Sequence, residues 1–445
     1  MSERPFSEGR RQFLHMAMGG FALALRFLTW PQAVALAASA LAFNLFVLPH
    51  LGKGIYRPSD SRFAAGIILY PLAVLLLLLC FPRRPDIVAA AWAILAAGDG
   101  MATLAGRAVP IRRLPWNPDK SVGGLLAFIV CGGAAAIALA IWTAPAVTPL
   151  PPTLFLILAP LAAAIVAGLV ETIPVGLDDN LRVPAAAAMV LGSAAIVDGN
   201  RAHAFVGSGA VLLLPLAANA AVAVAGWFGR TVTIPGAIAG FIVGTLVWLG
   251  AGWQGWVLLL CAFATAVITT KLGGRRKALL GIAEERGGRR GAGNALANTG
   301  LAAWLAALAV LSQYRDGALA AFAAALVAGS SDTVSSEIGK AFGRRTWLVT
   351  TLKPVPPGTS GAVSSEGTAA GAAAALMLAA IAASLHLIPV SLILPIGAAA
   401  VAAAMVESVL GSTLEPRGLL NNDLLNFITT SVAAVLGIVA WRMVT

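Results

Sequence analysis

The stretch GALAAFAAALVAGSSDTVSSEIGK, residues 317–340, decides the fold: fifteen residues without a charge run straight into an acid. Such runs recur along the chain. Of 445 residues, 59% are hydrophobic and only 11% charged, and mean hydropathy is +0.87. A soluble domain carries about a quarter charged residues, so this chain has too few to wet a globular surface. The runs approach the roughly 17–25 residues needed to cross a bilayer. They must be helices, because each has to satisfy its own backbone hydrogen bonds in lipid. A membrane β-barrel would show short alternating segments instead. The fold class predicted is an all-α polytopic integral membrane protein with about fourteen or fifteen transmembrane helices in two related bundles.

The predicted spans cover residues 13–30, 31–48, 62–81, 86–106, 121–142, 153–171, 183–197, 204–226, 234–249, 253–271, 292–312, 317–331, 367–385, 389–410 and 424–441. The first run shows no small-residue cleavage site and leads into the second, so it reads as a retained span rather than a signal peptide. The net charge of +11 sits in short connections between spans, the pattern of positive-inside topology rather than of nucleic-acid binding. With the amino terminus and its Arg4, Arg10 and Arg11 inside, the basic connectors 53–62, 107–120, 271–290 and 340–353 also fall inside. The charge-poor connectors 144–152, 251–254 and 386–389 fall outside, and only 82–86, with Arg83 and Arg84, falls on the wrong side. This predicts a multi-pass protein of the cell inner membrane with its polar loops on the cytoplasmic face. Cys80, Cys131 and Cys261 lie singly in apolar runs and read as buried small hydrophobes. His15, His50, His203 and His386 are scattered, with no zinc or haem spacing.

Intramembrane acids are costly and mark function by default. Here they follow a pattern that occurs twice. GDGMATLAGR (98–107) and SDTVSSEIGK (331–340) each carry an Asp followed by a Gly–basic pair that ends eight residues later. On a helix, Asp99, Thr103 and Arg107 share one face, as do Asp332, Ser336 and Lys340. Each Asp is followed by a loop with Lys and small hydroxyls, NPDKSVGG (117–124) and KPVPPGTSGAVSSEG (353–367). A span ending in a lone Glu comes next, Glu171 or Glu407, and then an acid-and-amide cluster, LDDNLRVP (177–184) or LLNNDLLNF (419–427). The shared order predicts two related modules, residues 1–203 and 204–445, with a seam near the 198–203 turn or the polar linker 273–293.

Carboxylates and amide oxygens at a membrane face suit Mg²⁺, which takes oxygen ligands. Lys and Arg beside glycine-rich turns suit phosphate. Together they point to phosphoryl or nucleotidyl transfer, which needs positioning and charge neutralisation. No Walker motif or kinase glycine loop is present. The Arg286–Arg290 cluster reads as a topology signal. Asn294 and Asn298, four apart at the start of a span, are placed to bind another helix or a ligand. A transporter with its substrate site between two repeats is the competing class, but its polar residues would gather at mid-membrane rather than in loops.

The amino-terminal half resembles the polyprenol kinase family, which includes dolichol and phytol kinases and is distantly related to CDP-diacylglycerol synthases. The matching stretches are RRQFLHMAMGG (10–20), GDGMATLAGR, NPDKSVGG and ETIPVGLDDNLRVP (171–184). The carboxyl-terminal half resembles plant phytyl-phosphate kinase and its membrane relatives, through GRRGAGNALANTG (288–300), SDTVSSEIGK, VPPGTSGAVSSEGT (355–368) and LLNNDLLNF. The resemblance implies a first module that phosphorylates an isoprenoid alcohol such as phytol or geranylgeraniol, and a second that phosphorylates the monophosphate. It also implies CTP or another nucleoside triphosphate as donor, with Mg²⁺; a cytidylyltransferase shares the same motifs. The implied catalytic residues are Asp99, Lys120, Asp332 and Lys353. The implied nucleotide-binding residues are Arg107, Asn117, Ser121, Asn294, Asn298, Lys340, Thr359, Ser364 and Glu366. The implied metal ligands are Asp99, Asp178, Asp179, Asp332, Glu337 and Asp423. One departure stands out: where the polyprenol kinases carry Lys-Ser-x-Glu-Gly, this chain reads Lys120, Ser121, Val122, Gly123, Gly124.

Overall fold

A computed structural model describes residues 8–51, 65–108, 112–174, 177–207 and 212–445. The amino-terminal arginine Arg4 and the basic connector 53–62 lie outside the described residues. Helices dominate, and the chain divides by its internal contacts into unit 1, Met1–Ile196, and unit 2, Val197–Thr445.

In unit 1 the helices are α1 (Glu8–Met18), α2 (Trp30–Ala42), α3 (Leu48–Leu51), α4 (Ala65–Cys80), α5 (Pro85–Ala93), α6 (Gly100–Ala108), α7 (Val122–Ala127), α8 (Gly133–Thr143), α9 (Thr153–Glu171) and α10 (Asp179–Ala194). A π-turn, Ile94–Asp99, joins α5 to α6 in one span. Unit 2 contains α11 (Gly199–Gly207), α12 (Leu213–Phe228), α13 (Ile234–Lys271), α14 (Gly274–Leu279), α15 (Ala292–Leu311), α16 (Arg315–Phe342), α17 (Ser365–Ser384), α18 (Ile393–Thr413) and α19 (Asn422–Val444). Among the described residues, each unit has one two-stranded antiparallel hairpin. Strands β1 (Arg113–Leu114) and β2 (Asn117–Ser121) form it in unit 1, and β3 (Thr346–Leu348) and β4 (Ala362–Ser364) in unit 2.

Each unit is organised around one span of small residues. The Pro85–Ala108 window is 67% buried and the Arg315–Phe342 window 83%, against at most 44% for every other long span. The reason lies in composition. Lipid tails are as apolar as leucine, so membrane helices associate by close packing, which small side chains permit. Ala89, Ala90 and Ala91 in α5, and Ala320 to Ala325 around Phe322 in α16, are almost wholly inaccessible. α16 packs against α13, α15, α17, α18 and α19. The helix that each unit buries most deeply is therefore the one that carries its intramembrane Asp.

Ten helices among the described residues are long and apolar enough to cross a membrane, with two shorter apolar ones, Gly66–Cys80 and Leu213–Phe228. This is fewer than the fourteen or fifteen predicted, for local reasons. The 13–30 run breaks into α1 and the 3₁₀ segment Gly19–Arg26. The 183–197 run yields only the sixteen-residue α10. Residues 234–249 and 253–271 form two halves of α13, bent at Gly252 rather than joined by a loop. Gly252 sits at φ 74°, ψ −178°, a region essentially closed to side-chain-bearing residues. The basic residue on the predicted outer side also has a local account: Arg84 forms a bidentate pair with buried Asp86 at 2.8 and 2.9 Å and lies over the Phe155 ring.

Candidate active sites

In unit 1 four separate elements bring charge to one place. The Asn117 amide donates to the Thr172 carbonyl at 3.0 Å, and the Trp116 indole to the Thr172 hydroxyl at 3.1 Å, pinning the hairpin to the end of α9. Lys120, on β2, then pairs with Glu171 and reaches Asp179 at 3.3 Å. Arg182 pairs with Asp179 from the next turn of α10. Oxygens of Asp99, Glu171 and Asp179 lie within 4.8 Å of one another. The cluster opens on a cavity of about 1610 Å³ whose wall also carries Thr103, Arg107, Ser121 and Asp178. Asp99, Thr103 and Arg107 thus share the face that helical spacing predicts.

Electrostatics keep Lys120 charged. Burial alone would lower its ammonium, but the carboxylates of Asp179, Glu171 and Asp99 outweigh burial and hold it above the ordinary lysine range. His15 lies with Nε2 3.5 Å from Asp99 and edge-on to Tyr70. Burial pushes its imidazole below the usual range, against the raising effect of its bond to the Leu95 carbonyl. Sequence reasoning left His15 without a role and Glu171 and Arg182 without an assignment; the recurrence of a lone Glu at a span end was the available signal for Glu171. Asp178, predicted as a metal ligand, caps α10 by accepting from the Asn180 amide at 2.9 Å, while still lining the cavity.

In unit 2, Asp332, Ser336, Lys340, Thr359 and Ser364 border a cavity of about 260 Å³ together with Glu407 and Asn422. The Asp332 and Glu407 carboxyls interact side chain to side chain, and the Thr429 hydroxyl donates to Glu407 at 2.6 Å. Lys340 Nζ lies 2.9 Å from Glu284 and 3.1 Å from Glu337. The second Glu337 oxygen takes the buried Lys277 ammonium at 2.6 Å. Two lysines therefore engage both oxygens of Glu337, which departs from its predicted metal role. The Glu284 carboxyl is held below its usual range: Lys340 outweighs the raising effect of burial.

The other predicted residues of unit 2 fall elsewhere. Lys353 is exposed, and Glu366 is half-buried at the first turn of α17; neither lines the Asp332 cavity. Asn294 and Asn298 line an apolar cavity, and Asp423 a polar recess beside it. Long loops make their side-chain destinations illegible from spacing alone.

Both units build the same local join. Ser121 Oγ accepts from the Gly124 amide at 3.1 Å, and Ser364 Oγ from the Gly367 amide at 3.1 Å. A Cβ on Gly106 would lie 3.3 Å from the Ser121 hydroxyl, and one on Gly339 would lie 3.0 Å from that of Ser364. In each, a strand end caps the next helix by packing on the Gly of the Asp-bearing helix.

Fold and sites together define a polytopic α-helical membrane protein with charged clusters at the ends of its most buried spans. The chain belongs to the DUF92 family of integral membrane proteins, whose model matches residues 217–434. It is 39% identical over 202 residues to an uncharacterized membrane protein of Synechocystis sp., covering 44% of this chain and 78% of the relative. Protein VTE6 of Arabidopsis thaliana is 36% identical over 223 residues, covering 47% of this chain and 65% of that protein. A probable phytol kinase 3 of Glycine max is 30% identical over 195 residues, 40% of this chain and 61% of that protein. No solved structure matches the chain.

Proposed function

We propose that this protein is a membrane-embedded isoprenoid kinase. Unit 1 transfers a phosphoryl group from a nucleoside triphosphate, CTP in our reading, to a prenyl alcohol, and unit 2 acts on the resulting monophosphate to give the diphosphate. The observation that carries the reading is the cluster of Asp99, Glu171 and Asp179 around Lys120, open to a cavity with both apolar and charged walls. The similarity to a relative named as a phytol kinase supports it.

The donor set fits Mg²⁺: three hard carboxylate oxygens gathered on one wall are the ligands that ion takes. Asp99, Glu171 and Asp179 would hold it, and it would neutralise charge on the transferred phosphate. The chain's own contribution is positioning. Lys120 and Arg182 supply fixed positive charge for nucleotide phosphates, and Tyr70, Leu14 and Met18 on the same cavity wall suit a prenyl chain. In the transfer, the alcohol oxygen bonds to the terminal phosphorus, the bridging P–O bond breaks so that the nucleoside diphosphate leaves with the bridging oxygen, and the alcohol proton passes to a cluster carboxylate. Glu171, paired with Lys120, serves as the acid absent at Gly123. In unit 2, Asp332 and Glu407 take the corresponding place, and both active sites face the cytoplasm.

The test is incubation of purified protein with CTP or ATP, Mg²⁺, and a panel of prenyl alcohols and prenyl monophosphates, with products separated by chromatography. Formation of prenyl phosphates supports the reading. Absence of any phosphorylated lipid with every nucleotide overturns it.

A further inference from the structure

A cavity of about 140 Å³ lies among α12, α13, α15 and α16 in unit 2, apart from the one at Asp332, with Val243, Leu259, Leu260, Phe263 and Leu326 on its walls. Arg290, Asn294 and Asn298 also border it. Arg290 and Asn294 border in addition a polar recess of about 360 Å³, formed with Thr270, residues 288–293 and the carboxyls of Glu284 and Asp423. An apolar slot and a polar recess therefore share a cation and an amide. We propose that this pair of cavities holds a single-chain lipid phosphate, a prenyl monophosphate, with its phosphate at Arg290 and its first isoprene unit in the slot.

Four observations carry this. The Arg290 guanidinium donates to neutral oxygens, Asn294 Oδ1 at 2.8 Å and Thr270 Oγ1 at 3.2 Å, and forms no ion pair among the described residues. The Glu284 and Glu337 carboxylates act on it only through space, so its direct hydrogen bonds are open to an anion in place of neutral oxygens. It also lies within electrostatic range of Asp332, which places a phosphate bound there near the carboxyl pair. Second, Asn298 Oδ1 is buried with no hydrogen-bond partner. Asn298 borders the slot and not the recess, so this unmet acceptor gives the slot a polar end on the side of Asn294.

Third, Gly240 lines the slot in the interior of α13, and a Cβ there would meet nothing within 4 Å. Glycine inside a helix is less stable than alanine; Gly240 is exposed at the rim of the slot, where a larger side chain would overhang its mouth. Fourth, the volume fits. An apolar cavity of about 150 Å³ takes a benzene-sized group, so one isoprene unit fills the slot and the rest of the chain continues into lipid.

The choice of probe rests on the kinase reading; the slot itself does not. Radiolabelled farnesyl monophosphate is bound to full-length protein in phosphatidylcholine nanodiscs without nucleotide. We expect Arg290→Gln and Gly240→Leu each to weaken binding about tenfold or more, with Arg290→Lys intermediate and thermal unfolding of Gly240→Leu unchanged. Geranyl monophosphate, which presents the same first unit, binds within about threefold of farnesyl monophosphate. Unchanged binding in either Arg290→Gln or Gly240→Leu overturns the proposal, as does equal competition by phosphatidylglycerol, which would make the slot a site for bulk lipid. Binding without turnover by any nucleotide leaves the slot standing and sinks only the reading of unit 2 as a monophosphate kinase.

Discussion

Lys120 closes on Glu171, fifty-one residues further along the chain, and so fixes the strand before α7 to the carboxyl end of α9. The same ammonium reaches Asp179 at 3.3 Å, so one lysine draws the first residue of α10 into the group as well. Three elements that sequence spacing leaves unconnected are joined at a single atom, with the half-buried Asp99 beside them.

Lys120→Met is therefore expected to lower prenyl alcohol phosphorylation by about 10²-fold or more, because a fixed charge at a phosphoryl-transfer site is lost. Glu171→Gln should lower it as well, through loss of the partner that orients Lys120. The rate of phosphorylated-lipid formation at saturating alcohol checks both. Lys120 is held above the ordinary lysine range, so its charge persists through neutral and mildly alkaline pH. No loss of rate between pH 7 and about 9 should then trace to this residue, which comparison of the wild-type and Lys120→Arg pH profiles would show.

The Gly–Ser–Gly join gives a stability prediction. A Cβ on Gly367 would lie 2.5 Å from the Ser335 carbonyl oxygen, whereas one on Gly274 in α14 meets nothing within 4 Å. Gly367→Ala forces α16 and α17 apart and should cost about 1–3 kcal/mol, the usual range for overpacking. Gly274→Ala should be neutral or slightly stabilising, since alanine is the better helix former. Thermal unfolding in detergent, followed by light scattering, separates the two.

Much of this was legible in the sequence for physical reasons. Asp99, Thr103 and Arg107 share a cavity wall because helical periodicity alone fixes their common face, and Asp332, Ser336 and Lys340 do so likewise. Period does not reach across loops. Lys353 and Asp332 belong to one ordered series in the sequence, yet the turns between them leave Lys353 exposed and away from the cavity. Arg290 shows what spacing leaves out. In a run of arginines it reads as a topology signal, but the backbone of this residue pairs with Val232, and that bridge sets it at the head of α15 against two cavities. Helix counts failed where a glycine bend replaced a loop, as at Gly252.

Sidedness has its own test. Within unit 1 the hairpin and the start of α10 converge on one cavity, and in unit 2 the 358–364 loop and the end of α18 do so. The positive-inside pattern leads us to expect each convergence on the cytoplasmic face. In a background lacking Cys80, Cys131 and Cys261, Asp119→Cys and Glu366→Cys should both react with a membrane-impermeant maleimide only in inverted vesicles. Labelling of the two from opposite sides would sink the shared-face arrangement.

The two carboxylate clusters should be chemically separable. Asp99 groups with Glu171 and Asp179 in unit 1, while Asp332 interacts with Glu407 in unit 2. Each lies on its unit's most buried span and borders its own cavity. An amide is close in shape to a carboxylate but leaves a bound cation without its countercharge, and losing such a contact costs on the order of 10²-fold or more in rate. Asp332→Asn is then expected to block conversion of monophosphate to diphosphate while the alcohol step continues, so that prenyl monophosphate accumulates. Asp99→Asn should do the reverse, leaving the alcohol unreacted while supplied monophosphate is still converted. Product ratios from the two variants, in protein whose unfolding temperature matches wild type, decide the matter. Equal loss of both steps in either variant would mean one composite site, and unchanged products in both would remove these aspartates from the chemistry.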